Sequence, residues 1–297
     1  MKKYFFTFLI FNSLFLICFS QLPDTDIWLL DISDSAGQIK LSNPTNVTNR
    51  KGYDNQPSFS PDGKYILFTS VRDSTEQADI YRYDLKTKQT TQFTKTTTSE
   101  YSPTFMPDGK NISVVMVEKD SAQRLWKFPI KGGVPSCIMP NVDSVGYHCW
   151  LTKDSLALFI LTNPFTMQVV NVNSQKPTVI AKNIGRGIVK DPTRDSPLFL
   201  FVSKEDSTQW QIKSIYSDGR RHKMYEYSSP FKAEDFAFCY PYFSTIVLAN
   251  GSKLYSVYLV LRLQNEIVDL SSLGIKNITR IAISADGKKM AIVCTSN

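Results

Sequence analysis

The side chains best placed for chemistry in this sequence are two carboxylates, two tyrosines, a glutamine, a histidine and an arginine. Each stands six to eight residues ahead of an aspartate that recurs along the chain, so they occupy corresponding places in a repeated segment. These candidate ligand-binding residues are Asp54, Gln56, Glu100, Tyr101, Tyr147, His148 and Arg280. A carboxylate pair such as Asp54 and Glu100 can supply acid and base for glycan chemistry. A mixed polar and aromatic set is also typical of a binding pocket.

Other kinds of catalytic chemistry find little support. The chain has only two histidines, His148 and His222, and no spacing of cysteines and histidines that suits zinc. It contains no G-x-S-x-G nucleophile motif. We therefore predict no metal and no cofactor, and we assign no catalytic residue.

The recurring aspartate shows how the elements are organised. It appears at Asp62, Asp108, Asp154, Asp195 and Asp286, at intervals of 46, 46, 41 and 91 residues. The last interval spans two periods, with a degenerate copy at residues 236–249. The chain therefore consists of six repeated units.

Each unit contains short segments rich in aromatic and β-branched residues, and none of comparable length has helical spacing. Four strands repeated radially every 40 to 50 residues are typical of propeller blades. The fold class predicted is all-β, a six-bladed β-propeller with four-stranded blades. Residues 278–295 should supply the inner strands of one blade and residues 26–41 its outer strands, which closes the ring.

The recurring aspartate itself is predicted to be structural. In Ser60-Pro61-Asp62-Gly63, proline favours the first corner of a type I turn, aspartate can bind the local backbone, and glycine accepts a left-handed conformation. The residues given this role are Asp62, Gly63, Asp108, Gly109, Asp286 and Gly287.

The N-terminus reads as a secretory signal peptide. Lys2 and Lys3 precede an apolar run, and small residues follow it, so residues 1–20 should be removed after Ser20. The alternative is a lipoprotein acylated at Cys18. Cleavage leaves one propeller domain, residues 21–297, without a transmembrane segment, in the periplasm or secreted. It also lowers the formal net charge from +7 to +5, and the scattered bases argue against a nucleic-acid partner.

Three stretches carry a resemblance to a known family. NVTNRKGYDNQPSFSPDGKYILFTS at residues 46–70, QFT at 92–94 and YSPTFMPDGK at 101–110 are similar to the WD40-like propeller repeats of the TolB family. The resemblance implies a six-bladed propeller in the periplasm or outside the cell. It covers the propeller only, without the additional N-terminal domain of TolB.

The function predicted is an exported, non-catalytic propeller that serves as a binding or scaffold module. Its partner would be a protein, peptide or glycan in the cell envelope, bound at one face of the ring. The alternative is a glycan hydrolase or lyase with its site at the mouth of the central channel. A third possibility is an assembly subunit of an envelope complex that binds through its blade edges. The oligomeric state stays open.

Overall fold

The computed structural model describes residues 22–35, 38–72, 76–192, 198–222, 225–239 and 244–295. These residues contain twenty-four β-strands in six antiparallel four-stranded sheets, together with a 3-10 helix at Ser271–Leu273. The predicted signal peptide and the repeat marker Asp195 lie outside the described residues. No helix in the described ranges is long and apolar enough to cross a bilayer.

The first three sheets follow one another along the chain. Blade 1 contains β3 (Asp54–Phe59), β4 (Tyr65–Val71), β5 (Ala78–Asp84) and β6 (Thr90–Gln92). Blade 2 contains β7 (Ser99–Phe105), β8 (Asn111–Val117), β9 (Gln123–Pro129) and β10 (Ser136–Cys137). Blade 3 contains β11 (Val145–Trp150), β12 (Ser155–Ile160), β13 (Thr166–Asn171) and β14 (Thr178–Lys182).

The remaining sheets complete the set. Blade 4 contains β15 (Ile184–Lys190), β16 (Leu198–Ser203), β17 (Gln211–Tyr216) and β18 (Tyr227–Ser228). Blade 5 contains β19 (Phe236–Phe238), β20 (Thr245–Asn250), β21 (Lys253–Tyr258) and β22 (Leu263–Asp269). Blade 6 contains β1 (Thr25–Ser35), β2 (Gln38–Asn46), β23 (Lys276–Ile283) and β24 (Lys289–Thr295).

The first strand of each unit lines a central channel. Contacts run from β3 to β7, β11, β15, β19 and β23 in turn, and β23 contacts β3 again. The ring is therefore closed, and the six-bladed propeller predicted from the repeat is confirmed. The weak fifth copy at residues 236–249 does supply β19 and β20 of blade 5.

Both ends of the described chain build blade 6, as the sequence predicted. Its strand order is β2-β1-β24-β23, so the N-terminal pair supplies the outer strands and the C-terminal pair the inner ones. The pairing of β1 with β24 runs without interruption from Thr25 opposite Thr295 to Asp31 opposite Lys289. This pairing is the seam that closes the ring.

The core lies between neighbouring blades, which explains why the second strands are almost wholly apolar. In β4, Ile66 and Phe68 pack toward blade 6, whereas Tyr65 and Leu67 pack toward blade 2. Because side chains alternate across a strand and both faces of a blade are covered, apolar residues are favoured at successive positions. The four cysteines of the described residues, Cys137, Cys149, Cys239 and Cys294, are free thiols.

The turns between first and second strands hold the recurring aspartates. Gly63, Gly109 and Gly287 have φ of 65°, 64° and 69°, the left-handed region that glycine enters without strain. Asp62 and Asp108 accept hydrogen bonds from the backbone nitrogens two residues ahead, at 3.3 and 2.8 Å.

Candidate functional site

The inner strands are bulged where the candidate residues stand. Pairing with the second strand shifts register in β3 between Asn55 and Ser58, and in β7 between Tyr101 and Thr104. Within these bulges Gln56 and Ser102 adopt φ of 58° and 54°. A bulge re-aims the side chains beside it, so a short stretch of strand presents groups to the channel that regular alternation would not.

The channel encloses a cavity of about 550 Å³. Four of the candidate residues from the sequence line it, namely Gln56, Tyr147, His148 and Arg280. Asp54, Glu100 and Tyr101 are not among its lining residues. The structure thus brings part of the predicted set together and leaves both candidate carboxylates outside the cavity.

Four of the polar residues in the cavity wall come from four different blades and contact one another, and we call them the channel cluster: Tyr147, Arg186, Asp235 and Arg280. Arg280 Nη2 donates to Tyr147 Oη at 2.9 Å, and its guanidinium carbon stands 4.7 Å from the centre of the Tyr147 ring. Arg280 Nη1 lies 3.4 Å from Asp235 Oδ2, and Arg186 Nε lies 3.9 Å from the same oxygen.

The channel cluster carries more positive than negative charge, because two guanidinium groups share one carboxylate. Arg186 Nη2 donates to the Thr279 carbonyl oxygen at 2.7 Å, but its buried Nε makes no hydrogen bond with any described residue. Burial raises the pKa of Asp235, and the charges of Arg280 and Arg186 oppose that rise. Burial also lowers the pKa of Arg186, assisted by the charge of Arg280.

Tyr53, directly before β3, extends the aromatic side of this region. It is buried, and burial raises the pKa of its phenol, while the charges of Arg280 and Arg186 act in the opposite direction.

Asp54 is fully buried and belongs to a separate network with two partly exposed arginines. Arg50 Nε lies 2.9 Å from its Oδ2, Arg72 Nη2 lies 3.7 Å from its Oδ1, and Ser70 Oγ donates to Oδ1 at 2.5 Å. Burial raises the pKa of Asp54, whereas the Ser70 hydrogen bond and the two arginines lower it. The residue ties the start of β3 to the end of β4.

Glu100 is also fully buried, beneath a cap of threonines. Thr94 Oγ1 donates to its Oε2 at 2.9 Å, while Thr96 and Thr98 donate to Oε1. Burial raises the pKa of Glu100 to about 7, even though these hydrogen bonds act to lower it. Asp54 and Glu100 are thus held in different networks rather than as a facing pair.

His148 joins two blades. Its Nε2 lies 2.7 Å from Ser113 Oγ of β8, and the same hydroxyl accepts a hydrogen bond from Trp150 Nε1 at 2.9 Å. Burial lowers the pKa of His148 to about 3, so the imidazole is neutral near pH 7. Its Nδ1 has no hydrogen-bond partner in the described part of the chain.

Gln56 bridges blades in a similar way. Its Oε1 accepts from Thr69 Oγ1 at 2.8 Å and from the Ser102 backbone nitrogen at 2.7 Å. Tyr101 packs against the apolar cluster between blades 2 and 3. Within the described ranges, no group of three or more histidine, cysteine, aspartate or glutamate side chains is arranged to hold a metal ion.

Reasoning from sequence missed Arg186, Asp235 and Tyr53. Aligning the repeats at fixed distances from the turn aspartate assumes inner strands of equal length. The irregular pairing of β15, however, extends from Ile184 to Ile188, longer than in β3. Arg186 stands nine residues before its marker, whereas Gln56 stands six before its own, so allowing for bulges of different length would have found Arg186. Asp235 precedes the degenerate fifth copy, which has no marker.

The closed ring of six four-stranded blades makes the chain a six-bladed β-propeller, a fold that it shares with TolB propellers. A structure of putative TolB from Agrobacterium tumefaciens superposes with a TM-score of 0.69 and 16% identity, over 93% of this chain and 99% of that one. At this identity the likeness establishes the fold.

Sequence comparison adds a short match. The Tol-Pal system protein TolB of Francisella tularensis subsp. mediasiatica is 41% identical over 51 residues, which are 17% of this chain and only 12% of that protein. An oligogalacturonate lyase in complex with manganese shares the fold, with a TM-score of 0.55 and 12% identity over 88% of this chain and 83% of that one. No protein-family model matches the sequence.

Proposed function

We propose that the chain is an exported, non-catalytic β-propeller that binds a protein, peptide or glycan partner of the cell envelope at its channel mouth. The observation that carries this proposal is the channel cluster, which gathers one side chain from each of four blades at the wall of a 550 Å³ cavity. The signal-peptide pattern and the likeness to TolB propellers support a location in the envelope.

The cluster suits a ligand with a carboxylate. Arg186 and Arg280 outnumber Asp235, and the free Nε–H of Arg186 is a donor without an acceptor among the described residues. Guanidinium groups bind carboxylates through paired N–H donors, and such bonds strengthen where water is excluded. An acidic side chain or chain end of the partner would complete the hydrogen bonding that the free cluster lacks.

Capture experiments test the assignment of the site. The mature chain is immobilised, exposed to solubilised native envelope, and its bound species are identified by mass spectrometry. Gln56→Glu is the informative variant, because a carboxylate oxygen can still accept from Thr69 and Ser102 while adding negative charge to the cavity wall. We expect this variant, and Arg186→Gln, to lose the partner that the wild type retains.

Asp62→Ala, altered at the far end of the inner strand, is the matched control and should capture the partner normally. If Gln56→Glu and Arg186→Gln both fold and capture the partner as the wild type does, the channel-mouth assignment fails. Loss of capture only on changes at a blade edge would favour the assembly-subunit alternative.

The fold shared with oligogalacturonate lyase, together with two arginines in the channel, makes an acidic glycan the second candidate ligand. If the protein were a lyase, incubation with oligogalacturonate would generate an unsaturated uronate that absorbs ultraviolet light. We expect no such product. Its appearance with the wild type and its loss in Arg186→Gln would replace the binding proposal with the enzymatic one.

A further inference from the structure

The turn between β21 and β22 departs from ordinary turn chemistry. Residues 258–263 read YLVLRL, and Val260, Leu261 and Leu263 are 41%, 61% and 54% exposed. The residue in the left-handed conformation is Arg262, with φ of 56°, where glycine or asparagine is usual. Aliphatic side chains at a projecting tip are not stabilised by the core. A turn that departs from the usual turn residues in this way is expected to have a function.

The position of this tip follows from strand order. In a meander of antiparallel strands, the turn joining the first and second strands lies at the same end as the turn joining the third and fourth. Blade 5 shows this directly, since the Leu259 nitrogen donates to the Ser244 carbonyl oxygen at 2.9 Å. The tip therefore lies at the end of the ring that holds the Pro-Asp-Gly turns, away from the channel cluster.

The same end carries unbalanced positive charge. The turns between third and fourth strands hold the exposed Lys86 and Lys88 of blade 1, Lys131 of blade 2 and Lys176 of blade 3. Beside Lys131, Val134 is 88% exposed.

Most acids at this end have a basic partner or neighbour. Asp62 pairs with Lys64 at 3.0 Å, Asp84 with Arg82 at 3.3 Å, and Asp218 with Arg220 at 2.7 Å. Asp108 and Asp286 make no ion pair within the described residues, but each stands near a lysine of its own turn, Lys110 and Lys288. We call the four lysines of blades 1 to 3, with Arg262 and its aliphatic neighbours Val260, Leu261 and Leu263, the basic turn face.

We propose that the basic turn face docks on a bilayer that contains anionic phospholipid, with Leu261 and Leu263 inserted at the headgroup boundary. The lysines are spread over three blades rather than gathered around a pocket, which matches the diffuse charge of a lipid surface. The aliphatic tip projects, as side chains that enter a membrane interface must. The cavity reaches the turn end at Pro61 and Ala285, whereas the channel cluster lies toward the opposite end of the inner strands. The inference goes beyond the proposed function and does not depend on it.

Flotation of the mature chain with vesicles tests this inference. Vesicles of phosphatidylcholine with phosphatidylglycerol are compared with vesicles of phosphatidylcholine alone. We expect flotation with the anionic vesicles only, weakening as salt is added. Leu261→Ser with Leu263→Ser should reduce partitioning at least about tenfold, and so should glutamine at the four lysines.

The control changes Leu161 and Leu273 to serine, since these leucines are also exposed, at 40% and 41% against 61% and 54%, but lie at the opposite end of the ring. This control should float like the wild type, and thermal melts should show all variants folded. The proposal fails if the wild type does not float with anionic vesicles, or if the Leu261 and Leu263 variant floats unchanged. Self-association that those leucines mediate, without vesicle binding, would instead assign the face to a second copy of the chain.

Discussion

At the scale of single residues, Glu100 shows how burial changes the pKa of a carboxyl group and thereby the stability of the fold. Its pKa in the folded chain is about 7, against an ordinary 4.5, so the folded state binds the proton more tightly than the unfolded chain. The contribution of Glu100 to the free energy of unfolding is therefore fully present below its unfolded pKa and is lost as the pH rises through 7. Between about pH 5 and about pH 8 the free energy of unfolding should fall by about 2 kcal/mol more in the wild type than in Glu100→Gln.

Urea denaturation at the two pH values measures this difference. Glu76→Gln, which changes an exposed carboxylate, is the control and should keep the pH dependence of the wild type. Identical pH dependence in Glu100→Gln and the wild type would mean that Glu100 is ionised throughout and carries no such linkage.

Asp62 illustrates the opposite case, an exposed carboxylate with local partners. It accepts from Ser60 Oγ at 2.8 Å and pairs with Lys64, and the Lys64 and Ser60 hydrogen bonds lower its pKa to about 2. Because water competes for an exposed group, Asp62→Ala should lower the free energy of unfolding by only about 1 kcal/mol. Denaturant titration checks the stability, and a large loss of partner binding in the folded variant would contradict the structural role.

At the scale of elements, one buried hydroxyl makes side-chain hydrogen bonds between blades 2 and 3, in addition to the apolar packing between them. Ser113 of β8 is fully buried and serves both His148 Nε2 and Trp150 Nε1. Ser113→Ala leaves two buried polar atoms without a partner, and each such atom costs about 1 to 3 kcal/mol. We therefore expect the free energy of unfolding of the variant to fall by roughly 2 to 6 kcal/mol, measured by urea denaturation.

Ser136→Ala, at an exposed position of the outermost strand of blade 2, is the control for that measurement and should change stability little. A neutral result at Ser113 would show that the blades are held by apolar packing alone.

The arrangement of the blades could be predicted from the sequence, whereas the residues that line the channel could be predicted only in part. Strand order and blade count follow from the spacing of Asp62, Asp108 and Asp286, because each turn needs the same residues for the same backbone shape. The channel wall does not follow in this way. A bulge adds residues to one strand at little cost, so Arg186 and Arg280 face one cavity from different distances to their markers.

The sequence also did not indicate that the side chains of Asp54 and Glu100 are buried. Asp54 and Glu100 occupy the predicted start of the inner strand, yet both side chains turn into loop networks. Their partners, Ser70 and Thr94, stand elsewhere in the chain or in the preceding turn. A repeat alignment reports which positions correspond, whereas the local donors around each position decide whether its side chain reaches the channel.

At the scale of the whole molecule, stability should depend on the seam between β1 and β24. Residues 25–31 of β1 pair with residues 289–295 of β24, and this ladder is the strand pairing that joins the outer and inner halves of blade 6. Removing residues 289–297 would expose the edges of β1 and β23 and uncover the apolar faces of blades 1 and 5. We expect loss of the cooperative thermal transition, because every blade contacts two neighbours and an open ring leaves both end blades half covered.

Differential scanning calorimetry with near-ultraviolet circular dichroism measures that loss, and a chain lacking only residues 296–297 is the control. If the longer truncation still melted in one sharp transition at the wild-type temperature, blade 6 would contribute nothing to ring closure. Adding the peptide of residues 289–297 to the truncated chain sharpens the test, since its strand should fill the gap and restore part of the transition. Ile292 of β24 is fully buried. If a peptide with Ile292→Asp does not restore the transition, the recovery depends on the buried face of β24.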